Sequence, residues 1–336
     1  MLPIARAATR DEIPVIDLQA FKFTDDRTHS AVAQELCTAC KTVGFAYIVN
    51  HGIEGSAIDR IYEVARKFFA LPEEAKNEVS LKKSGYAFNG FLPSGHVGQD
   101  SKLKSDLHES FQAHLDLPGD DPARLAGTPF YGPNLWPSSM PELKREVVSY
   151  QEKVRLLGER MLSLLAVGLD LPVDTFTKYT RKPVSMLRML HYPPQPATES
   201  ESLGTRAHND TGLITILAQD EVGGLEVLLN SGEWVAASPM RHAYVINIGD
   251  MMSVLSDGIY ASTPHRVINR SGRERYSVPF FVNPDFATPY APLVSNPNEK
   301  IKKFESLVKN TDGRNYGEWL VDVYSRIYNM PEAARA

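Results

Sequence analysis

Cysteine is scarce: the 336 residues contain two, Cys37 and Cys40, too few for the disulfide framework of a small secreted scaffold. Their C-x-x-C spacing invites a redox or zinc reading. ELCTACKTVGF instead reads as an amphipathic helix running into a strand. A thioredoxin-type motif follows a strand and opens a helix, and a structural zinc site needs two further ligands in range. Both are expected to be plain buried thiols. An excess of one charge is also missing. Net charge −5 and a pI near 6.0 leave no basic footprint for nucleic acid or an anionic membrane. The densest basic cluster, Lys82, Lys83, Lys102 and Lys104, falls in a stretch that reads as a mobile loop, and a solvated surface is expected there. No apolar run approaches the ~18 residues of a spanning helix. The opening MLPIARAATRDEIPVIDL has no apolar core of signal-peptide length, and Asp11 and Glu12 follow at once. The expectation is a cytoplasmic, globular protein, taken as a monomer, with neither nucleic acid nor membrane as partner.

Repeats and low-complexity segments are absent too. What is present is 43% hydrophobic and 23% charged, the balance of a globular protein with one large domain or two ordinary ones. In residues 1–140, Ile13–Leu18 and Gly44–Val49 read as strands, and about 28–42 and 56–70 as helices. Leu71-Pro72 stops the second helix. Residues 82–137 hold many Gly and Pro with little periodicity, the texture of a functional or mobile loop. A long helix is expected from about Pro141 to Gly168 inside a 141–184 segment. Its stripe of Val147, Tyr150, Val154, Leu157, Met161, Leu164 and Leu165 would form a spine for a sheet. From 185 to 290 short alternating or apolar runs alternate with turn signals such as Gly223-Gly224 and Arg270-Ser271-Gly272. Seven or eight such strands predict a double-sheet jelly roll. A helical region, about 298–308 and then 316–328, lies within 291–336. The fold class is α+β, mainly β: a double-stranded β-helix core flanked by helices.

Two segments of that core carry chemistry. In Arg206-Ala207-His208-Asn209-Asp210, positions i and i+2 of a strand share a face, so His208 and Asp210 would enter the barrel mouth together, with Asn209 facing away. His265, in Ser262-Thr263-Pro264-His265-Arg266-Val267, would close the set from the opposite sheet. Two imidazoles and one carboxylate form the facial triad that holds non-haem Fe(II) and leaves coordination positions open. Arg275 and Ser277 repeat the i, i+2 arrangement one strand later. An inward arginine needs an anionic partner, and a guanidinium with a hydroxyl suits the distal carboxylate of a 2-oxoacid.

Taken together, these segments resemble the Fe(II)/2-oxoglutarate-dependent dioxygenases of the isopenicillin N synthase-like group along nearly the whole chain. IPVIDL with VGFAYIVNHGI, Leu190-His191-Tyr192-Pro193-Pro194-Gln195-Pro196, AHNDTGLITILAQDEVGGLEV, NIGDMMSVLSDGIYASTPHRV and RERYSVPFF carry the resemblance. It implies His208, Asp210 and His265 as iron ligands, Arg275 and Ser277 on the 5-carboxylate of 2-oxoglutarate, and Tyr192 as the tyrosine that often joins them. Leu190 stands where many plant members have asparagine. Arg188-Met189-Leu190-His191-Tyr192 is similar instead to a microbial branch that includes the ethylene-forming enzyme, where the arginine matching Arg188 helps hold the 2-oxoacid. Glu109 aligns with a pocket-facing acid of that branch; Tyr86, Phe88 and Phe281 resemble pocket-wall positions.

The implied cofactors are Fe(II), 2-oxoglutarate and O2, with ascorbate as reductant. The implied activity is oxidation of an unactivated C–H bond of a small, secondary-metabolite-like molecule, releasing succinate and CO2. Aromatic walls with Glu109 point to a substrate carrying a cationic or hydroxyl group. The competing readings are an ethylene-forming type that fragments 2-oxoglutarate, and a jelly-roll binding protein without turnover.

Overall fold

The computed structural model describes residues 4–19, 26–95, 106–194, 203–295 and 313–328. The N-terminal part supplies β1 (Arg6–Ala7), β2 (Val15–Asp17), α1 (Asp26–Thr42), β3 (Phe45–Val49), α2 (Gly55–Phe69), α3 (Glu73–Glu78), β4 (Gly90–Leu92), β5 (Glu109–His114) and α4 (Pro122–Leu125). The long α5 (Pro141–Val167) leads to β6 (Met186–Tyr192), β7 (Thr205–His208), β8 (Ile214–Gln219), β9 (Leu225–Leu228), β10 (Trp234–Ala236) and β11 (Tyr244–Ile248). Then come α6 (Asp250–Leu255), β12 (His265–Val267), β13 (Arg275–Val282) and α7 (Tyr316–Ile327).

The strands form two sheets, ordered β2-β3-β11-β8-β13-β6-β5-β4 and β1-β10-β9-β12-β7. Strands β6 to β13 are the eight-stranded jelly roll that the turn spacing predicted, four strands in each sheet. The N-terminal region extends those same sheets: β3 pairs with β11, β5 with β6, and β1 with β10. The texture of 82–137 misled here. It contains β5, hydrogen-bonded along its length to β6, so part of the expected loop is sheet. Lys102, Lys104 and the helix expected at 298–308 lie outside the described residues.

Strand alternation sorts side chains into two cores. On β13, Tyr276, Val278, Phe280 and Val282 join the helix-side core, together with Leu187 and Met189 of β6. Against that face pack α2, through Ile58, Ile61, Ala65 and Phe68, and α5, through Val147, Val154, Leu157, Met161 and Leu165. Each such aliphatic or aromatic side chain contributes roughly 1.5–3 kcal/mol on burial. The opposite faces of the two sheets meet in a smaller cluster, including Phe45, Leu190, Tyr192, Leu225, Val227, Val245 and Val267. Arg275, Ser277 and Phe281 have the parity of that inner face. Cys37 and Cys40 are free and buried in α1, as expected, and burial pushes the Cys40 thiol up. No helix among the described residues is long and apolar enough to cross a membrane.

Candidate active site

At the mouth between the sheets, His208, Asp210 and His265 converge. His208 Nε2 is 3.7 Å and His265 Nε2 3.8 Å from Asp210 Oδ1, and one atom from each residue lies within 4.8 Å of the other two. The route differs from the sequence expectation in two ways. His208 and His265 are register partners on adjacent antiparallel strands of one sheet, β7 and β12, not on opposite sheets. Their ring centroids are 4.3 Å apart. Asp210 is not on the strand with His208 either: β7 ends at His208, and Asp210 lies two residues beyond it, just before the chain bends at 211–213. Asn209 donates to Ser262 Oγ at 2.9 Å rather than facing out to solvent.

Each ligand is oriented from behind. His208 Nδ1 donates to the Arg206 carbonyl at 2.7 Å and His265 Nδ1 to the Thr263 carbonyl at 3.2 Å, so both Nε2 lone pairs face the shared point. Desolvation within the cavity, then the adjacent His265 ring, lowers the His208 pKa although the ring is partly exposed. A neutral ring is what a metal requires. Burial would raise the Asp210 carboxyl, but the two rings and hydrogen bonds from Asn247 and Thr215 bring it below its ordinary value. Those bonds, 2.7 and 2.5 Å, both fall on Oδ2 and leave Oδ1 for the rings' side. The Asp210 carbonyl also accepts from Asp250 N at 2.7 Å. That backbone link needs Gly249, whose added Cβ would stand 2.3 Å from the Gly212 carbonyl. Thr215→Val and Asn247→Leu are each expected to weaken Fe(II) binding roughly 10–100-fold, as outer supports of metal ligands do. Equilibrium dialysis of the purified variants checks this.

A cavity of about 640 Å³ extends from this point between the sheets. Farther in, Arg275 is fully buried. Its Nε donates to the Gly223 carbonyl, its Nη1 to Ser277 Oγ at 3.2 Å, and its guanidinium lies 4.6 Å from the Tyr192 ring centroid. Gly223 and Gly224 both have positive φ, which lets the turn aim that carbonyl at the arginine. No protein carboxylate pairs with Arg275 among the described residues. A buried cation with only neutral hydrogen-bond partners is costly, and Asp220 acts on this one only at longer range, so this end of the cavity has the chemistry to take an anion. Tyr192 and Leu190 pair in register with Arg275 and Ser277. The Tyr192 hydroxyl meets Thr205 Oγ1 at 3.2 Å, and Leu190 brings no polar group to the wall.

Arg188 and Phe281 line the cavity, whereas Glu109, Tyr86 and Phe88 do not. Glu109 has the parity of Phe111 and Ala113, which face the helices. There it pairs with Lys76 at 2.7 Å and accepts from His191 Nδ1 at 2.8 Å. The expected pocket acid is therefore a structural ion pair on the other side of the sheet. Burial raises its carboxyl, and the His191 and Lys76 contacts overcome this to leave it below the ordinary value. Its stabilising contribution is thus full above the ordinary carboxylate range and disappears as pH falls through the lowered value. Glu109→Gln should cost about 2 kcal/mol near neutrality, a loss that shrinks in acid, measured by urea unfolding at several pH values. Phe88 is completely buried, stacked on Phe130 at 5.0 Å, and Tyr86 packs edge-on against it.

The sequence reading missed several wall residues. His108 is buried against Tyr192, donates from Nδ1 to the Gly204 carbonyl at 2.7 Å, and is held by burial at a pKa of about 4. Asp106 accepts from both the backbone N and Nε of Arg206. Val323, Tyr324, Ile327 and Tyr328 of α7 and its C-terminal end close one side. Only recognition of β5 and of its pairing with β6 could have brought Gln112 and its neighbours to notice.

The donor set fits a dication: two neutral imidazole nitrogens and one carboxylate oxygen face one point, with no fourth protein ligand among the described residues. Comparison with known proteins agrees. Residues 13–139 match the model described as non-haem dioxygenase in morphine synthesis N-terminal, and residues 183–284 that of the 2OG-Fe(II) oxygenase superfamily. The chain is 36% identical over 336 residues to the 2-oxoglutarate-Fe(II) type oxidoreductase hxnY of Emericella nidulans, covering 96% of this chain and 95% of that one. It is similar to the crystal structure of a full-length Neurospora crassa protein in complex with alpha-KG and thymine, with TM-score 0.80, 26% identity, and 97% and 100% of the two chains covered. It is also similar to JOX2 in complex with 2OG, Fe and JA, with TM-score 0.71, 32% identity, and 87% and 81% covered. The chain belongs to the 2OG-Fe(II) oxygenase superfamily: it is an enzyme that uses Fe(II), 2-oxoglutarate and O2.

Proposed function

We propose that this enzyme oxidises an unactivated C–H bond of a small organic metabolite at an iron held by His208, Asp210 and His265. Arg275 and Ser277 take the distal carboxylate of 2-oxoglutarate. The observation that carries the reading is the pairing of two incomplete sites in one cavity: a cluster of three candidate ligands, and a buried arginine with no carboxylate in ion-pair contact among the described residues. A jelly-roll binding protein has no need of either.

When bound, iron with 2-oxoglutarate and O2 supplies an oxidant, as the diacid loses CO2 and becomes succinate. The chain's residues do the rest. Asp210, fixed through Oδ2 by Thr215 and Asn247, keeps Oδ1 toward the two imidazoles and would hold the iron through that oxygen. Arg275 fixes the far end of the diacid, shielded by the Tyr192 ring, and so fixes its register along the cavity. Leu190, Leu217, Leu225 and Val267 line the intervening wall and exclude water from the reacting groups.

A screen of small metabolites for substrate-stimulated succinate formation, with Fe(II), ascorbate and O2, tests the proposal. Stoichiometric succinate and oxygenated product is the expected result. A protein that never consumes 2-oxoglutarate defeats it, and ethylene in the headspace assigns the fragmenting reaction instead.

A further inference from the structure

The cavity holds a third arginine, Arg188, with no carboxylate in ion-pair contact among the described residues, Asp210 acting on it only at longer range. Arg206 is paired with Asp106, and Arg275 serves the diacid. Arg188 donates from Nε to Gln112 Oε1 at 2.9 Å and from Nη2 to the Tyr328 hydroxyl at 2.7 Å. Both partners are neutral. The Tyr328 hydroxyl in turn donates to Gln112 Oε1 at 3.2 Å, closing a ring of three side chains from the end of α7, β5 and β6. Among the described residues no carboxylate reaches Arg188 and none accepts from its Nη1, while the residue lines the open cavity. Around it stand Phe281, 5.6 Å from the guanidinium, with Tyr324, Ile327 and Tyr328.

We propose that Arg188, held by Gln112 and Tyr328, is the anchor for the organic substrate, and that this substrate is a small carboxylate with an apolar, planar body. The proposal rests on the function proposed above. Three observations carry it. The one acid expected to select a cationic substrate, Glu109, lies on the other side of the sheet paired with Lys76, which removes the reason to expect a cation and leaves Arg188 as the charge this part of the cavity presents. The Arg275 anchor pairs with Tyr192, four residues along β6 from Arg188 and roughly 13 Å away at strand rise, so the two cations rise from separate stations along the cavity wall. Finally, the surrounding wall is aromatic and aliphatic, which suits a flat apolar body behind a single charge.

The test uses anaerobic protein loaded with Fe(II) and saturating 2-oxoglutarate, titrated with phenylacetate and hexanoate against phenylacetamide and hexanamide. The acids are expected to bind roughly tenfold or more tightly than their amides, the worth of a charge-assisted contact. Arg188→Leu should erase that difference and Arg188→Lys keep part of it, with 2-oxoglutarate affinity unchanged in both. Tyr328→Phe, which keeps the arginine, should weaken the acids severalfold and leave the diacid alone. Equal behaviour of acids and amides overturns the proposal. So does a tenfold loss of 2-oxoglutarate affinity in Arg188→Leu, which would make this arginine a cosubstrate residue. Failure of the unaltered protein to retain 2-oxoglutarate with Fe(II) defeats the function reading itself, and this inference with it.

Discussion

His208→Ala should reduce 2-oxoglutarate consumption by roughly three orders of magnitude, about 4 kcal/mol of lost barrier reduction, while the protein stays folded. The ring is 39% exposed at the cavity mouth, so its removal opens little core. What disappears is one of the three candidate ligands that converge there among the described residues, and two donors do not hold a labile dication against water. Asp210→Asn should behave alike in activity. An amide at that position keeps an acceptor for Thr215 and Asn247 but carries no charge for the metal. Fe(II) binding by dialysis, succinate yield and thermal midpoint, measured on the same preparations, separate the two effects. Normal succinate from either variant removes the ligand assignment.

Replacing Arg275 acts at the other end of the cavity and with a different signature. Arg275→Met is expected to weaken 2-oxoglutarate binding by roughly 100-fold or more, since charge-assisted hydrogen bonds to a buried carboxylate are worth about 1.5–3 kcal/mol each. Fe(II) binding should be unchanged, because Arg275 touches none of the three ligands. Stability without ligand should change little: the Gly223 carbonyl loses its donor, but a buried cation with no carboxylate in ion-pair contact among the described residues is removed as well. The clearest readout is the rise in thermal midpoint produced by 2-oxoglutarate with Fe(II). At a ligand concentration about 100 times Kd this is worth about 2.7 kcal/mol, and the variant should lose most of it. An undiminished midpoint rise in the Arg275→Met protein would falsify the anchor role.

Much of the core was legible because strand alternation is local. Arg275 and Ser277 share a strand, so their common inward face follows from their spacing, and Tyr276, Val278 and Phe280 confirm the parity by facing the helices. The same logic did not carry to Asp210, since β7 stops at His208 and the carboxylate sits beyond the strand, in the segment that leads into the bend at 211–213. It failed for Glu109 for the opposite reason. The Gly- and Pro-rich surroundings hid β5, and without the strand there was no parity to place the acid on the helix side. Phe88 read as a wall through the resemblance, and from sequence an aromatic residue looks the same whether it faces a cavity or Phe130.

By itself, then, the order of residues determined the jelly roll, the inward arginine and serine, and which three side chains meet at the cavity mouth, all set by periodicity and residue chemistry. Only the folded chain decided that His208 and His265 are cross-strand neighbours, that Glu109 is spent on Lys76 and His191, and that Arg188 meets Tyr328 at the end of α7. These depend on which strands pair and on which helix returns to cover the barrel. Such contacts join residues up to 140 positions apart, and no local pattern of side chains encodes them.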